Sequence, residues 1–251
     1  TVSSPFHPEA LPALEAELTW FNIDYTDRVV QPITDYGHAL SNPSYTQFIN
    51  DSPTAQEMEK LLASTNSFLN DTGSPYDPDD VVAIMYAQYA NVARQHIKGL
   101  DMSSSYRFDL GSGHLTARGS ATWLDSSQQN TPTENAYDIA GTLFNPARIK
   151  GRLGAVWNQG GFVASAFVNY TGGVLDTTNR RKTASFTTFD ATLRYAIDDR
   201  SSALSGLVFA LSVQNLFDRE PPLYAVPVPF WPPYDSTNYS AIGRFVNISV
   251  S

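Results

Sequence analysis

The side chains that carry most protein chemistry are sparse in this sequence and poorly spaced for it. The four histidines, His7, His38, His96 and His114, are dispersed, and none belongs to a metal-ligand spacing such as His-Glu-x-x-His. They read as surface or turn residues. Cysteine is absent, so neither a thiolate metal site nor a disulfide framework can be built. Gly111-Ser112-Gly113 lacks the further glycine and the following helix that a nucleotide loop needs, and reads as a plain turn. No Gly-x-Ser-x-Gly nucleophile elbow occurs. Glu15 and Glu17 are a pair that a chain with 25 acidic residues produces by chance, which gives no basis for a glycosidase. Asp77, Asp79 and Asp80 supply oxygen ligands without the alternating pattern of a calcium loop, so helix capping is the expectation. No catalytic residue is assigned, no metal or cofactor is called for, and the chain reads as a non-enzyme.

Two other groups of residues suit binding. The segment from Pro221 to Tyr234 is dense in proline, which limits its conformational freedom, and its Tyr224, Phe230, Trp231 and Tyr234 could offer stacking faces to a ligand with π or sugar surfaces. Packing of this loop on its own neighbours is the alternative. The charged residues Arg118, Arg152, Asp190 and Arg194 fall on the polar faces of apparent strands, where they would line a lumen.

The elements that position these groups announce themselves by alternation, the signature of a sheet with two unlike faces. Between Ala147 and Trp157, the odd positions are small or apolar while Arg148, Lys150 and Arg152 occupy even ones. Leu115 to Trp123, Thr188 to Tyr195, Leu207 to Gln214 and Val246 to Ser251 divide in the same way. Leu14 to Val30, Ala93 to Phe108 and Phe162 to Tyr170 are less regular, and the first changes phase between Trp20 and Phe21 as at a bulge. About eight strands result.

Their connections alternate in length. Asp109 to Gly113, Asn158 to Gly161 and Asp198 to Ser202 are short polar reversals, whereas Pro32 to Tyr89, Asp125 to Pro146, Thr171 to Ser185 and Asp218 to Thr237 are long. Short turns at one end and long loops at the other describe an antiparallel up-and-down sheet of the outer-membrane kind. Within the first long loop, Pro53 to Ala63 and Pro78 to Val92 carry helix-like patterns.

Composition supports that class. Charged residues are only 16% and aromatics 12%, while no apolar run is long enough for a membrane-spanning helix. With 16 basic and 25 acidic residues the net charge is −9, the wrong sign for a nucleic-acid partner. Trp157, Tyr106, Phe108 and Tyr195 lie beside the short turns, and Trp123, Tyr170 and Tyr25 lie toward the long loops, as in two interfacial girdles. Burying the charged face in a sandwich core would cost several kcal/mol per unpaired ion, so outer-membrane lipid is the expected neighbour of the apolar face. Two rivals stay open: a small complete barrel acting passively or as an adhesin, and a soluble carbohydrate-binding β-sandwich.

The carboxyl-terminal third carries a family resemblance. Ser212-Val213-Gln214-Asn215-Leu216-Phe217-Asp218-Arg219, then the Pro-rich aromatic loop, then Ile242-Gly243-Arg244-Phe245-Val246-Asn247-Ile248 resemble the end of TonB-dependent outer-membrane receptors. Phe21 to Val29 and Ile97 to Ser103 are similar to barrel strands of the same family. The resemblance implies an all-β chain that is an open part of a 22-stranded barrel, the last eight strands only, with short helices in long extracellular loops. Residues 1–251 would then be the carboxyl-terminal portion of the barrel, without its plug domain or TonB box, and with a few residues expected beyond Ser251. It further implies a bacterial outer-membrane location and import of a scarce small molecule, such as siderophore-bound iron, a cobalamin or a carbohydrate. Energy would come from the TonB-ExbB-ExbD complex acting through the plug. Arg118, Arg152, Asp190 and Arg194 become plug-contact candidates on this basis.

Overall fold

The computed structural model describes residues 1–197, 204–226 and 230–251. The reversal expected over Asp198 to Ser202, and the Pro227-Val228-Pro229 part of the aromatic loop, lie outside these residues.

Nine strands follow one another in a single sheet: β1 (Val2–Phe6), β2 (Leu14–Val30), β3 (Ala90–Leu110), β4 (Gly113–Gln129), β5 (Ile149–Gln159), β6 (Phe162–Thr171), β7 (Phe186–Ala196), β8 (Val208–Gln214) and β9 (Phe245–Val250). Each is hydrogen-bonded to its neighbours in chain order, and a two-residue strand, Tyr137–Asp138, pairs with β4 off this path. The registers of β1 with β2, and of every pair from β4 to β9, are antiparallel. β1 and β9 are the outer members and do not pair with each other, so the sheet is open, as the sequence implied.

β1 was not among the expected eight strands. It pairs Val2 with Trp20 and Phe6 with Ala16, and its proline is tolerated because an edge strand has no partner on one side. The chain between β1 and β2 reverses through Leu11 N–H to Pro8 O at 3.0 Å and Leu14 N–H to Leu11 O at 2.9 Å, another short connection at the short-turn end. The turns after β3 and β5 place Gly111 at φ 62° and Gly160 at φ 56°.

The chain divides into two compact units. The first comprises Thr1–Ile23, His96–Ser127 and Asp138–Ser251. Its registers align whole rows of like residues. Leu115, Trp157, Ala164, Leu193, Leu211 and Ile248 are successive partners across six strands, and Ala117, Ala155, Ala166, Ala191, Val213 and Val246 form the next row. The opposite face carries Thr116, Val156, Ser165, Thr192, Ser212 and Asn247 in the same manner. The apolar rows are uncovered: Leu153 is 62% and Ile248 76% exposed. A soluble sandwich would bury this face against a second sheet, whereas the hydrophobics packed into this unit's core cluster are Ala147, Val174, Phe186 and Tyr239, at the loop ends of the strands. The sandwich reading fails on that observation.

Aromatic residues band the apolar face at both ends. Phe162, Tyr195 and Phe209 are register partners at the short-turn end, where Trp157 also packs edge-on against Phe162. Trp123 and Tyr170 occupy adjacent rows at the long-loop end.

The second unit comprises Asp24–Gln95 and Gln128–Tyr137. Two 3-10 turns, Tyr36–Ser41 and Pro43–Phe48, wrap a small core of Ile33, Ala39 and Tyr45, closed by Phe48 and Ile49. The helix expected near Pro53 to Ala63 is present as α1 (Ala55–Ala63), opened by a capping box in which the Glu57 N–H donates to Thr54 Oγ1 and the Thr54 N–H to Glu57 Oε2. The helix expected over Pro78 to Val92 is not. Only a 3-10 turn forms at Pro78–Asp80, with the Asp77 carboxylate accepting the Asp79 N–H, after which Ile84–Met85 extends and pairs with Ile49–Asn50. The β-branched pair Val81-Val82 follows the acidic start directly and favours extended backbone.

Candidate ligand-binding site

The loops that leave β4, β6 and β8 are tied together by one short stretch, Asp235 to Tyr239. Asp235 is fully buried, and its carboxylate accepts the backbone N–H of Phe144 at 2.9 Å, of Thr237 at 2.9 Å and of Asn238 at 3.2 Å. The Asn238 side chain donates to Asp235 Oδ2 at 2.9 Å and to the Asn145 carbonyl at 2.6 Å, and its Oδ1 accepts the Ala147 N–H. Tyr239 packs on Phe186 and donates its hydroxyl to the Gly172 carbonyl at 3.0 Å. Burial pushes the Tyr239 phenol above its ordinary pKa, so it stays a neutral donor. A buried carboxylate is tolerated here because three backbone N–H groups and the Asn238 amide donate to its oxygens.

That stretch builds an aromatic platform. Phe144 sits at φ 62°, an unusual conformation for a bulky residue, held by its N–H bond to Asp235. Its ring receives Tyr224 edge-on at 5.8 Å and Trp231 at 6.2 Å between centroids. Tyr224 is fixed further by its N–H to the Pro233 carbonyl at 3.0 Å. Burial, with the Asp176 and Asp235 carboxylates adding to it, raises the Tyr224 pKa, and its hydroxyl has no hydrogen-bond partner among the described residues.

The four aromatic candidates therefore separate. Tyr234 packs against the loop core, Tyr224 is half-buried beneath Phe144, Trp231 is half-exposed on the same ring, and Phe230 projects at 94% exposure away from all ring contacts. Phe144, the residue that joins two of them, lies outside any strand alternation and was not singled out from the sequence. Its only signal is the buried acid that folds back to it from a distant loop.

On the polar face, Arg152 and Asp190 come together at 3.3 Å, bridged by Asn169, whose Nδ2 donates to Asp190 at 2.8 Å. The Arg152 guanidinium also lies over the Phe167 ring at 4.3 Å. Asp190 in turn accepts the Asn215 N–H at 3.1 Å, linking the network to the end of β8. Arg118 and Arg152 line one cavity of about 540 Å³ with Glu15, Glu17 and Ser103 to Ser105. Arg194 is not part of this group; it lies near the short-turn end, opposite Val163 and Ala210. Two histidines sit beside carboxylates, His38 at 2.9 Å from Asp35 at the start of a 3-10 turn and His114 at 2.6 Å from Asp109 across the β3–β4 hairpin.

Compared with known families, residues 9–216 match the profile described as TonB dependent receptor-like, beta-barrel. The chain belongs to this family. No curated protein shows significant similarity to it. As a TonB-dependent receptor barrel chain it falls in a family of outer-membrane transporters and receptors rather than of enzymes, and its strands follow that architecture: antiparallel, up-and-down, with no helix long and apolar enough to cross a membrane among the described residues. The apolar rows and the Arg152–Asp190 network lie on opposite faces of the sheet.

Proposed function

We propose that residues 1–251 are the carboxyl-terminal portion of the barrel of an energised outer-membrane import receptor of a bacterial cell. The observation that carries this reading is the family match over residues 9–216 on an open sheet whose apolar face is uncovered. The long loops capture a scarce small molecule, of the class of siderophore-bound iron, a cobalamin or a carbohydrate. A plug domain of the same receptor seats against the polar face, with Arg118, Arg152, Asp190 and Arg194 as its contacts, and transmits the pull of the TonB-ExbB-ExbD complex. The aromatic platform supports ligand capture: Trp231 is exposed and meets the ring of Phe144, whose own N–H is held by the Asp235 carboxylate.

The test is uptake by cells producing the intact receptor, supplied in parallel with 55Fe-loaded siderophores, labelled cobalamin and labelled oligosaccharides, with and without TonB. Accumulation of one probe that requires TonB is expected. Accumulation that is unchanged without TonB would make this a passive barrel.

A further inference from the structure

Two buried carboxylates lie beside the aromatic platform without a counter-ion. Asp235 and Asp176 are both buried, and neither takes part in an ion pair among the described residues. Amides satisfy them instead. Asp176 Oδ1 accepts the N–H groups of Thr178 and Asn179 at 3.0 and 3.1 Å, and its Oδ2 accepts the Asn179 side chain at 2.7 Å, while each Asp235 oxygen accepts two amide donors. Arg180, Arg181 and Lys182 follow Asp176 in its hairpin, but they are exposed and form no ion pair with it. Neutral amides stabilise a carboxylate and leave its net charge in place, and that charge acts further in a dry surrounding than in water. The buried Tyr224 hydroxyl lies in the field of both acids, whose charges add to burial in raising its pKa.

The rings in this field stand at right angles. The plane of Phe144 crosses that of Tyr224 at 85° and that of Trp231 at 78°. Perpendicular rings do not make the single flat face on which a sugar or another planar group stacks; they bound a corner that suits a compact group. Aromatic faces are the negative part of the ring quadrupole, so such a corner attracts a cation held within about 6 Å of the ring centroids. Trp231, 53% exposed, keeps the corner open to solvent. The type of cation follows from the acceptors. A primary ammonium brings three N–H donors, and the oxygens of Asp176 and Asp235 are buried and already engaged, whereas a fully alkylated ammonium needs no acceptor.

We propose that the corner formed by Phe144, Tyr224 and Trp231 binds a quaternary ammonium group of the captured molecule, through cation–π contact reinforced by the charges of Asp176 and Asp235. The inference rests on the platform being the capture site.

The experiment titrates intact receptor in detergent with choline and with 3,3-dimethylbutan-1-ol, which has the same shape with carbon in place of the charged nitrogen, and reads each Kd by saturation-transfer NMR. Choline should bind about tenfold tighter than the alcohol, and tighter than ethanolamine, whose ammonium is primary. Trp231→Leu, at an exposed position, should lose most of that preference. Asp176→Asn keeps an oxygen for the Thr178 and Asn179 N–H groups and removes the charge, so the preference should fall about threefold with the Kd of the alcohol unchanged. Absence of choline binding, equal affinity for choline and the alcohol, or an unchanged preference in either variant would each overturn the proposal. If choline fails while Trp231→Ala still weakens a transported probe, the cation reading alone is refuted. Full affinity for that probe in Trp231→Ala and Phe144→Ala refutes the capture site on which it rests.

Discussion

The Asp235 carboxylate accepts the backbone N–H of Phe144 at 2.9 Å across 91 residues of chain, and this bond accompanies the left-handed backbone of Phe144, whose ring both Tyr224 and Trp231 meet. One buried acid thereby sets the position of an aromatic surface built from two separate loops. Replacing it by alanine strands the N–H groups of Phe144, Thr237 and Asn238, at a cost of about 2–3 kcal/mol localised to the loops. Asp235→Ala receptor should therefore keep its barrel, judged by heat-modifiable mobility on gels, while limited proteolysis cuts the loop around residue 144 much faster than in wild type. Equal cutting would show that the bond does not hold the loop.

The platform itself is tested by affinity. Trp231→Ala and Phe144→Ala in the intact receptor should each weaken binding of whichever uptake probe is transported by about tenfold, a loss in the range of an aromatic contact surface. Tyr234→Phe should change it little, because Tyr234 packs into the loop core. Full affinity in both alanine variants would remove the platform from the capture site.

Asp176 gives a pH dependence with a clear sign. Its bond from the Asn179 side chain, followed by the bonds from the Asn179 and Thr178 N–H groups, holds its pKa below the ordinary 3.8. A depressed acid stabilises the fold above its unfolded pKa and loses that contribution as pH falls through the folded value. Amide exchange at Thr178 and Asn179, corrected for intrinsic rate, should stay constant from neutral pH down to about 5 and accelerate below 3.8. Opening of the turn already at mildly acidic pH would contradict this.

Gly154 lies beside the Phe167 ring on the polar face, and a Cβ there would collide with Phe167 Cδ1 and with the Ala166 carbonyl oxygen. Gly154→Ala must displace both the Ala166 backbone and the Phe167 ring, so a loss of about 1–3 kcal/mol is expected. A urea-unfolding midpoint in detergent that matches wild type would show that the strands yield without strain.

The strands were legible in the sequence because one face is uniformly apolar, so alternation survives wherever the sheet is regular. β1 escaped notice because Val2-Ser3-Ser4-Pro5-Phe6 has no alternation to read; its pairing with β2 is made by backbone groups. The acidic start at Asp77 was legible as a cap but not in its extent, since Ile84–Met85 is extended by pairing with Ile49–Asn50, a contact between distant parts of the chain. Arg152 and Asp190 were singled out as charges on a polar face, and the register brings them to 3.3 Å. Phe144 was illegible for the opposite reason, because its conformation and its ring contacts depend on residues of another loop.

The most direct test is the lipid exposure of alternate residues along the strands. The chain has no cysteine, so once any cysteine elsewhere in the intact receptor is replaced, a single nitroxide label can be placed at each position of this chain in turn. Labels replacing Leu153, Ala164 or Leu211 should collide with oxygen dissolved in the bilayer and be shielded from a water-soluble nickel chelate. Labels replacing Thr116, Ser165 or Thr192, on the opposite face, should be shielded from bilayer oxygen. Shielding of Leu153 and Leu211 from both quenchers, as in a packed protein core, would contradict the membrane barrel.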